Sequence, residues 1–345
     1  MAQPFDVKRL ETTGEAMSVA QGIPTYSGLS RRAAFTVSPS GLLAYIAAAP
    51  RGYSHLVWKD RQGNALGDLG QTTDPIGDIA LSPDGKRLAV TIQDQSGSAD
   101  VWIYDTARGT PMRFTFDSKV YGESVWSPDG SVLYFNSAQK GVLDLFRKVS
   151  NGAANEELVF ADHANKRWTS ISPDGRLLLY DSFGEKPEGD IWVMSSASGG
   201  KSEPRIFLQT PSSKRDGQLS PDGRWLAYES NESGPVQVYA APFPGPGGKR
   251  QISPAGGGRP RWRRDGKEIF FCTQDGQLMA AEVATSNGTL EVGQVHKLFD
   301  GIITTNLGLT YDASADGRKF VVLESSASTA GPLTLVQNWL AALRK

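Results

Sequence analysis

The sequence has a single cysteine in 345 residues, Cys272, which excludes an internal disulfide framework. Its three histidines, His55, His163 and His296, show no H-x-x-x-H or H-E-x-x-H spacing, so zinc chemistry has no ligand set. Neither sign of charge is in excess. The 36 Lys and Arg stand against 37 Asp and Glu, a formal net charge of -1, and no basic surplus exists to neutralise a nucleic-acid backbone. No apolar run reaches the roughly 18 residues of a membrane-spanning helix. The opening segment MAQPFDVKRLETTGEAM lacks the apolar core of a secretion signal, so the chain as written reads as soluble, and it also suits a piece excised from something larger. Helix-forming stretches are missing until QNWLAALRK at the end.

What is present is a repeat. Turn glycines at Gly41 (SPSG), Gly85, Gly130, Gly175, Gly223 (all SPDG), Gly266 (RRDG) and Gly317 (SADG) are spaced by 44, 45, 45, 48, 43 and 51 residues. A period between about 40 and 50 marks a repeat architecture. After each turn comes an apolar run such as RLAVTI, LLLYDS or WLAYES, and about ten residues on a third run such as DVWIYD, DIWVMS or QVYAAPF. A weaker fourth run follows. Four short strands per period make one blade of a β-propeller. In S-P-D-G the proline pre-sets its φ, aspartate suits the next position, and glycine accepts the positive φ that closes the hairpin. The recurring Asp84, Asp129, Asp174 and Asp222 are therefore scaffold.

The expected fold is all-β: a seven-bladed β-propeller of four-stranded antiparallel blades filling residues 1–345 as one domain. The last blade has three strands, so the N-terminal segment EAMSVAQGI is expected to close it. Six blades with a decorated edge is the alternative.

These repeats resemble those of TolB-type propellers, a WD-like class marked by the S-P-D-G turn and an aromatic-rich strand. Gln218 to Phe271, the opening MAQPFDVKRLETTGEAMSVAQG, LVWKDRQG at Leu56 and the closing LTLVQNWLAAL further resemble the propeller region C-terminal to many bacterial serine/threonine kinases. The resemblance implies a sensor or interaction module with no catalytic residues, and a position outside the cytoplasm. The sequence contains no Gly-rich kinase loop, no H-R-D and no D-F-G.

No serine occupies a G-x-S-x-G elbow, and Cys272 lies in the apolar run EIFFCTQ. No cofactor is implied. Seven residues before each turn glycine, at the channel mouth, stand Ala34, Asp78, Glu123, Trp168, Asp216, Arg259 and Thr310, with Arg167 and Arg215 one residue earlier. This places an acidic arc (Asp78, Glu123) opposite an arginine arc (Arg167, Arg215, Arg259), with Trp168 as an aromatic platform. Such a mouth suits a protein, a peptide terminus or a small anionic ligand gripped by guanidinium groups. A non-catalytic, monomeric binding propeller is expected. A hydrolase or lyase using acids assembled at the mouth, and a pure scaffold, are the alternatives.

Overall fold

The computed structural model describes residues 2–20, 23, 35–46, 54–72, 74, 76–94, 98–116, 119, 123–184, 189–196, 203–245, 247–303, 308–325 and 333–339. Its regular elements are β-strands. The chain divides into two compact units, Tyr53–Glu324 and a smaller one formed by Met1–Gly52 with Ser325–Lys345.

Each of the seven turns joins two paired strands, so seven sheets carry the repeat. Five of the seven turns share one chemistry. Ser127 donates its hydroxyl to Asp129 at 2.6 Å, Asp129 accepts the amide of Ser131, and Ser127 accepts that of Val132. The same bonds recur from Ser82, Ser172, Ser220 and Ser314. Gly130 has φ 69°, which the left-handed region grants cheaply only to glycine.

Six sheets have four strands and lie in Tyr53–Glu324. Blade 1 spans residues 76–113, blade 2 spans 125–160, blade 3 spans 165–208, blade 4 spans 214–251 and blade 5 spans 258–300. Blade 6 starts with Tyr311–Ala313 and Lys319–Ser325, and is completed by Ser54–Asp60 and Ala65–Thr72. Closure thus falls to the third and fourth runs of the first repeat and not to EAMSVAQGI. Within that segment Met17 bridges Ala2, while Gln21 and Gly22 lie outside the described residues. The reason is combinatorial: any third run can add to any second strand, and the two-strand start at Tyr311 needs two more.

The apolar runs are buried on both faces, because each blade is sandwiched between two others. Six hydrophobic clusters result, one between each successive pair. Leu178 packs toward blade 2 and its neighbour Leu179 toward blade 4. Trp225 faces blade 5 and Leu226 faces blade 3. The circuit returns through Leu56, Val321 and Leu323 of blade 6, which pack on Ile79, Leu88 and Val90 of blade 1. Trp102, Trp126, Trp192, Trp225 and Trp262 all sit in these clusters, so the tryptophans are packing residues.

The smaller unit contains the hairpin Phe5–Asp6 with Glu11–Thr12, and a three-stranded sheet in the order Leu333–Gln337, Leu42–Ile46, Phe35–Val37. The first turn hairpin, at Gly41, thus lies in a different compact unit from the other six. Having lent its outer strands to blade 6, the first repeat pairs instead with the C-terminal strand.

Candidate functional site

Blades present their first strands to the axis, and these strands are irregular just where the mouth residues lie. The register between first and second strand slips between Ile76 and Asp78, Trp168 and Ser170, Arg215 and Gln218, and Gly258 and Arg261. Such bulges re-aim side chains at the rim of a closed sheet. Asp216 and Arg259 take left-handed φ of 54° and 57° there.

Five of the predicted residues, Glu123, Arg167, Arg215, Asp216 and Arg259, line one cavity of about 350 Å³. Arg167 and Arg215 lie against Phe183, their guanidinium carbons 4.8 and 5.5 Å from the ring centre. Arg167 Nη2 is 3.5 Å from Asp181 and 3.7 Å from Asp216. Arg215 Nε donates to Ser213 at 2.8 Å.

Two predicted residues do other work. Trp168 is fully buried, donates Nε1–H to the carbonyl of Phe146 at 3.1 Å, and packs edge-on against Tyr134 and Tyr180. It is core and offers no platform, its indole packed between blades 2 and 3. Asp78 is also buried. Its two oxygens accept the amides of Ser124 in blade 2's lead-in and Leu309 before blade 6, each at 2.9 Å. Ala34 lies outside the described residues, and Thr310 donates to the carbonyl of Ile303.

The acidic and basic arcs are not separated. Glu123 shares the arginines' cavity, and carboxylates from second strands interleave with the guanidiniums. Asp181 and Glu229, absent from the sequence reading, each stand six residues after a turn glycine. Asp181 accepts the amide of Asp216 at 3.0 Å and Glu229 that of Arg259 at 3.1 Å. Gly258 leaves the space that the Glu229 carboxylate fills, since a Cβ there would collide with it. A carboxylate inside an otherwise apolar, doubly buried strand was the signal that could have found both.

Burial drives the electrostatics. Desolvation pushes Asp78 and Asp181 up to about 7 and Glu229 up to about 8. Glu123 is driven well above the carboxylate range by burial and by the nearby Asp216. Arg261 stands 4.0 Å from both Glu123 and Asp312, and also lines a second cavity of about 480 Å³ beside the turn prolines Pro83, Pro128, Pro173 and Pro221. Cys272 lines the mouth cavity, but burial raises its thiol to about 11, so it stays protonated at neutral pH. Among the described residues no group of three or more His, Cys, Asp and Glu side chains is placed to hold a metal. A larger groove of about 920 Å³ runs between blades 4 and 5, away from these charges.

Residues 36–198 match the family model PD40, TolB beta propeller domain. The chain has a β-propeller fold and over this stretch is similar to a TolB propeller domain. A structure assigned to TolB from Agrobacterium tumefaciens superposes with a TM-score of 0.66 over 80% of this chain and 99% of that one, at 19% identity. The uncharacterized protein Atu1656 of Agrobacterium fabrum is 26% identical over 115 residues, 33% of this chain and 39% of its own. The uncharacterized peptidase YuxL of Bacillus subtilis is 31% identical over 117 residues, 31% of this chain and 17% of its own. The chain thus spans well under half the length of these two relatives. No helix among the described residues is long and apolar enough to cross a membrane.

Proposed function

We propose that this TolB-like propeller is a non-catalytic binding module whose mouth cavity takes the anionic group of a small ligand or peptide. The observation that carries this reading is the convergence of Arg167, Arg215 and Arg259, from three successive blades, on one cavity. Arg167 is engaged by Asp181 and Asp216, and Arg215 and Arg259, both half-buried, line the same cavity as the grips for a carboxylate. A pocket of a few hundred Å³ matches a small ligand or a peptide end. The chemistry that would argue for turnover is thin: the cavity's thiol is protonated, and a non-enzyme is the simpler reading.

The test is calorimetric titration with N-acetyltriglycine, a carboxylate probe with no amine. Arg215→Gln combined with Arg259→Asn should weaken binding by about tenfold or more, the worth of charge-assisted hydrogen bonds, with the melting temperature kept. Unchanged affinity overturns the assignment.

A second reading, a hydrolase or lyase, is favoured by the buried carboxyls whose values near 7 and 8 would suit general acid and base work. A broad panel of esters, peptides and glycosides that is turned over by the wild type and not by Glu123→Gln would establish it. We further read the module as the C-terminal region of a bacterial signalling kinase, positioned outside the cytoplasm, on the resemblance of Gln218 to Phe271. The reading frame upstream of residue 1 tests that directly: a frame without a kinase domain rejects it.

A further inference from the structure

The inner wall of the mouth cavity carries carboxylate oxygens whose hydrogen-bonding capacity is unmet. Glu123 Oε2 and Asp216 Oδ1 are buried, line the cavity, and have no hydrogen-bond partner among the described residues. The nearest cations do not supply one. Arg261 Nη2 is 4.0 Å from Glu123 Oε2 and Arg167 Nη2 is 3.7 Å from Asp216 Oδ1, both beyond hydrogen-bond length. The guanidiniums offset charge without satisfying lone pairs, and buried polar groups left so are uncommon.

Charge says which donor fits. The acids around these two oxygens are Asp78, Asp181, Glu229 and Asp312, and the cations are Arg167, Arg215, Arg259 and Arg261. Among the described residues six carboxyls therefore face four guanidiniums, so the acids outnumber the cations once they ionise. A neutral hydroxyl would meet the lone pairs but would not compensate these carboxyls as they ionise. A primary ammonium does both, with three donors on one compact cation.

We infer that Glu123 and Asp216 receive a protonated primary amine, so that the ligand of this mouth is zwitterionic, its amine against the inner wall and its carboxylate at Arg215 and Arg259. This rests on the mouth reading above and adds the cationic half of the ligand. Burial holds protons on the surrounding carboxyls near neutrality, with Asp181 at about 7 and Glu229 at about 8. Amine binding favours their ionised forms, so it releases protons, and affinity rises between pH 6 and 7.5.

The experiment compares matched probes by calorimetry on the full chain: triglycine against N-acetyltriglycine for a chain terminus, and Nα-acetyl-lysine against Nα,Nε-diacetyl-lysine for a side chain. In at least one pair the free amine should bind about tenfold or more tightly. In Glu123→Gln that ratio should fall toward one, while the acetylated probe binds as before. Asp216→Asn gives the same comparison if Glu123→Gln fails to fold. Equal affinities within both pairs overturn this inference and leave the anion site standing. Absence of binding by all four probes overturns the anion site and this inference with it.

Discussion

Asp181, on the second strand of blade 3, accepts the backbone N–H of Asp216, on the first strand of blade 4, at 3.0 Å. The same link joins Glu229 to Arg259 at 3.1 Å and Asn136 to Trp168 at 2.8 Å. The three acceptors stand six residues after their turn glycines, and the three donors seven before theirs. Each link pins the bulged start of one blade to the blade before it, so the geometry of the mouth is set by interblade bonds through side chains. An amide oxygen serves at Asn136 where a carboxylate serves at Asp181 and Glu229.

That equivalence makes Asp181→Asn a mild change or a gain. Only Oδ2 of Asp181 holds the amide, and Oδ1 has no hydrogen-bond partner. Folding raises its value from 3.8 to about 7, so the native state favours the neutral acid. That preference contributes fully below about pH 4 and is lost as pH rises to about 7. The variant should match the wild type near pH 4, then grow more stable relative to it up to pH 7, by on the order of 1–3 kcal/mol, and hold that margin above. Melting temperatures of both proteins across pH 4 to 8.5 check it. A difference independent of pH would contradict the account.

Closure yields a second expectation. Leu56 is 1% exposed and packs with Val321 and Leu323 against blade 1. Leu56→Ala should destabilise the propeller by about 2–5 kcal/mol, the usual range for a core leucine. Deleting residues 1–22 removes no strand of the six four-stranded sheets. The truncated chain should keep the main melting transition within a few degrees. Differential scanning calorimetry of the two variants separates the possibilities, and the reverse order of effects would return the latch to the N-terminal segment.

Much of this architecture is legible from residue order because the turn is chemically explicit. Ser, Asp and Gly at fixed offsets dictate a hairpin through local bonds alone, and apolar runs such as LLLYDS announce strands covered on both faces. Which sheet Ser54–Thr72 would join is not local information, since its pattern fits blade 6 as well as its own repeat. The mouth residues followed from a constant offset before the glycine, and five of them do converge. Trp168 escaped that logic although it shares the bulge, since Asp216 and Arg259 take left-handed φ at the same offset and Trp168 does not. Asp181 and Glu229 were hidden inside strands read only for their hydrophobic content.

Asp78 supplies the sharpest contrast, since it shares with Asp181 its burial, its residue type and a value raised to about 7. What differs is the use of the second oxygen. Asp78 accepts the amide of Ser124 through Oδ2 and that of Leu309 through Oδ1, each at 2.9 Å, joining blade 1 to the lead-in segments of blades 2 and 6. In Asp78→Asn one of those amides must face an N–H donor in place of an acceptor. At pH 8, where the wild-type carboxylate is ionised and accepts both, the buried donor left unsatisfied should make this variant about 1–3 kcal/mol less stable than Asp181→Asn. Asp181→Asn, measured under the same conditions by urea denaturation, should keep the gain predicted above. Because the two substitutions remove the same charge at similar depth, any general penalty for losing a buried carboxylate would appear in both. Equal midpoints for the two variants would show that the amide bonds at Asp78 do not carry the interblade link.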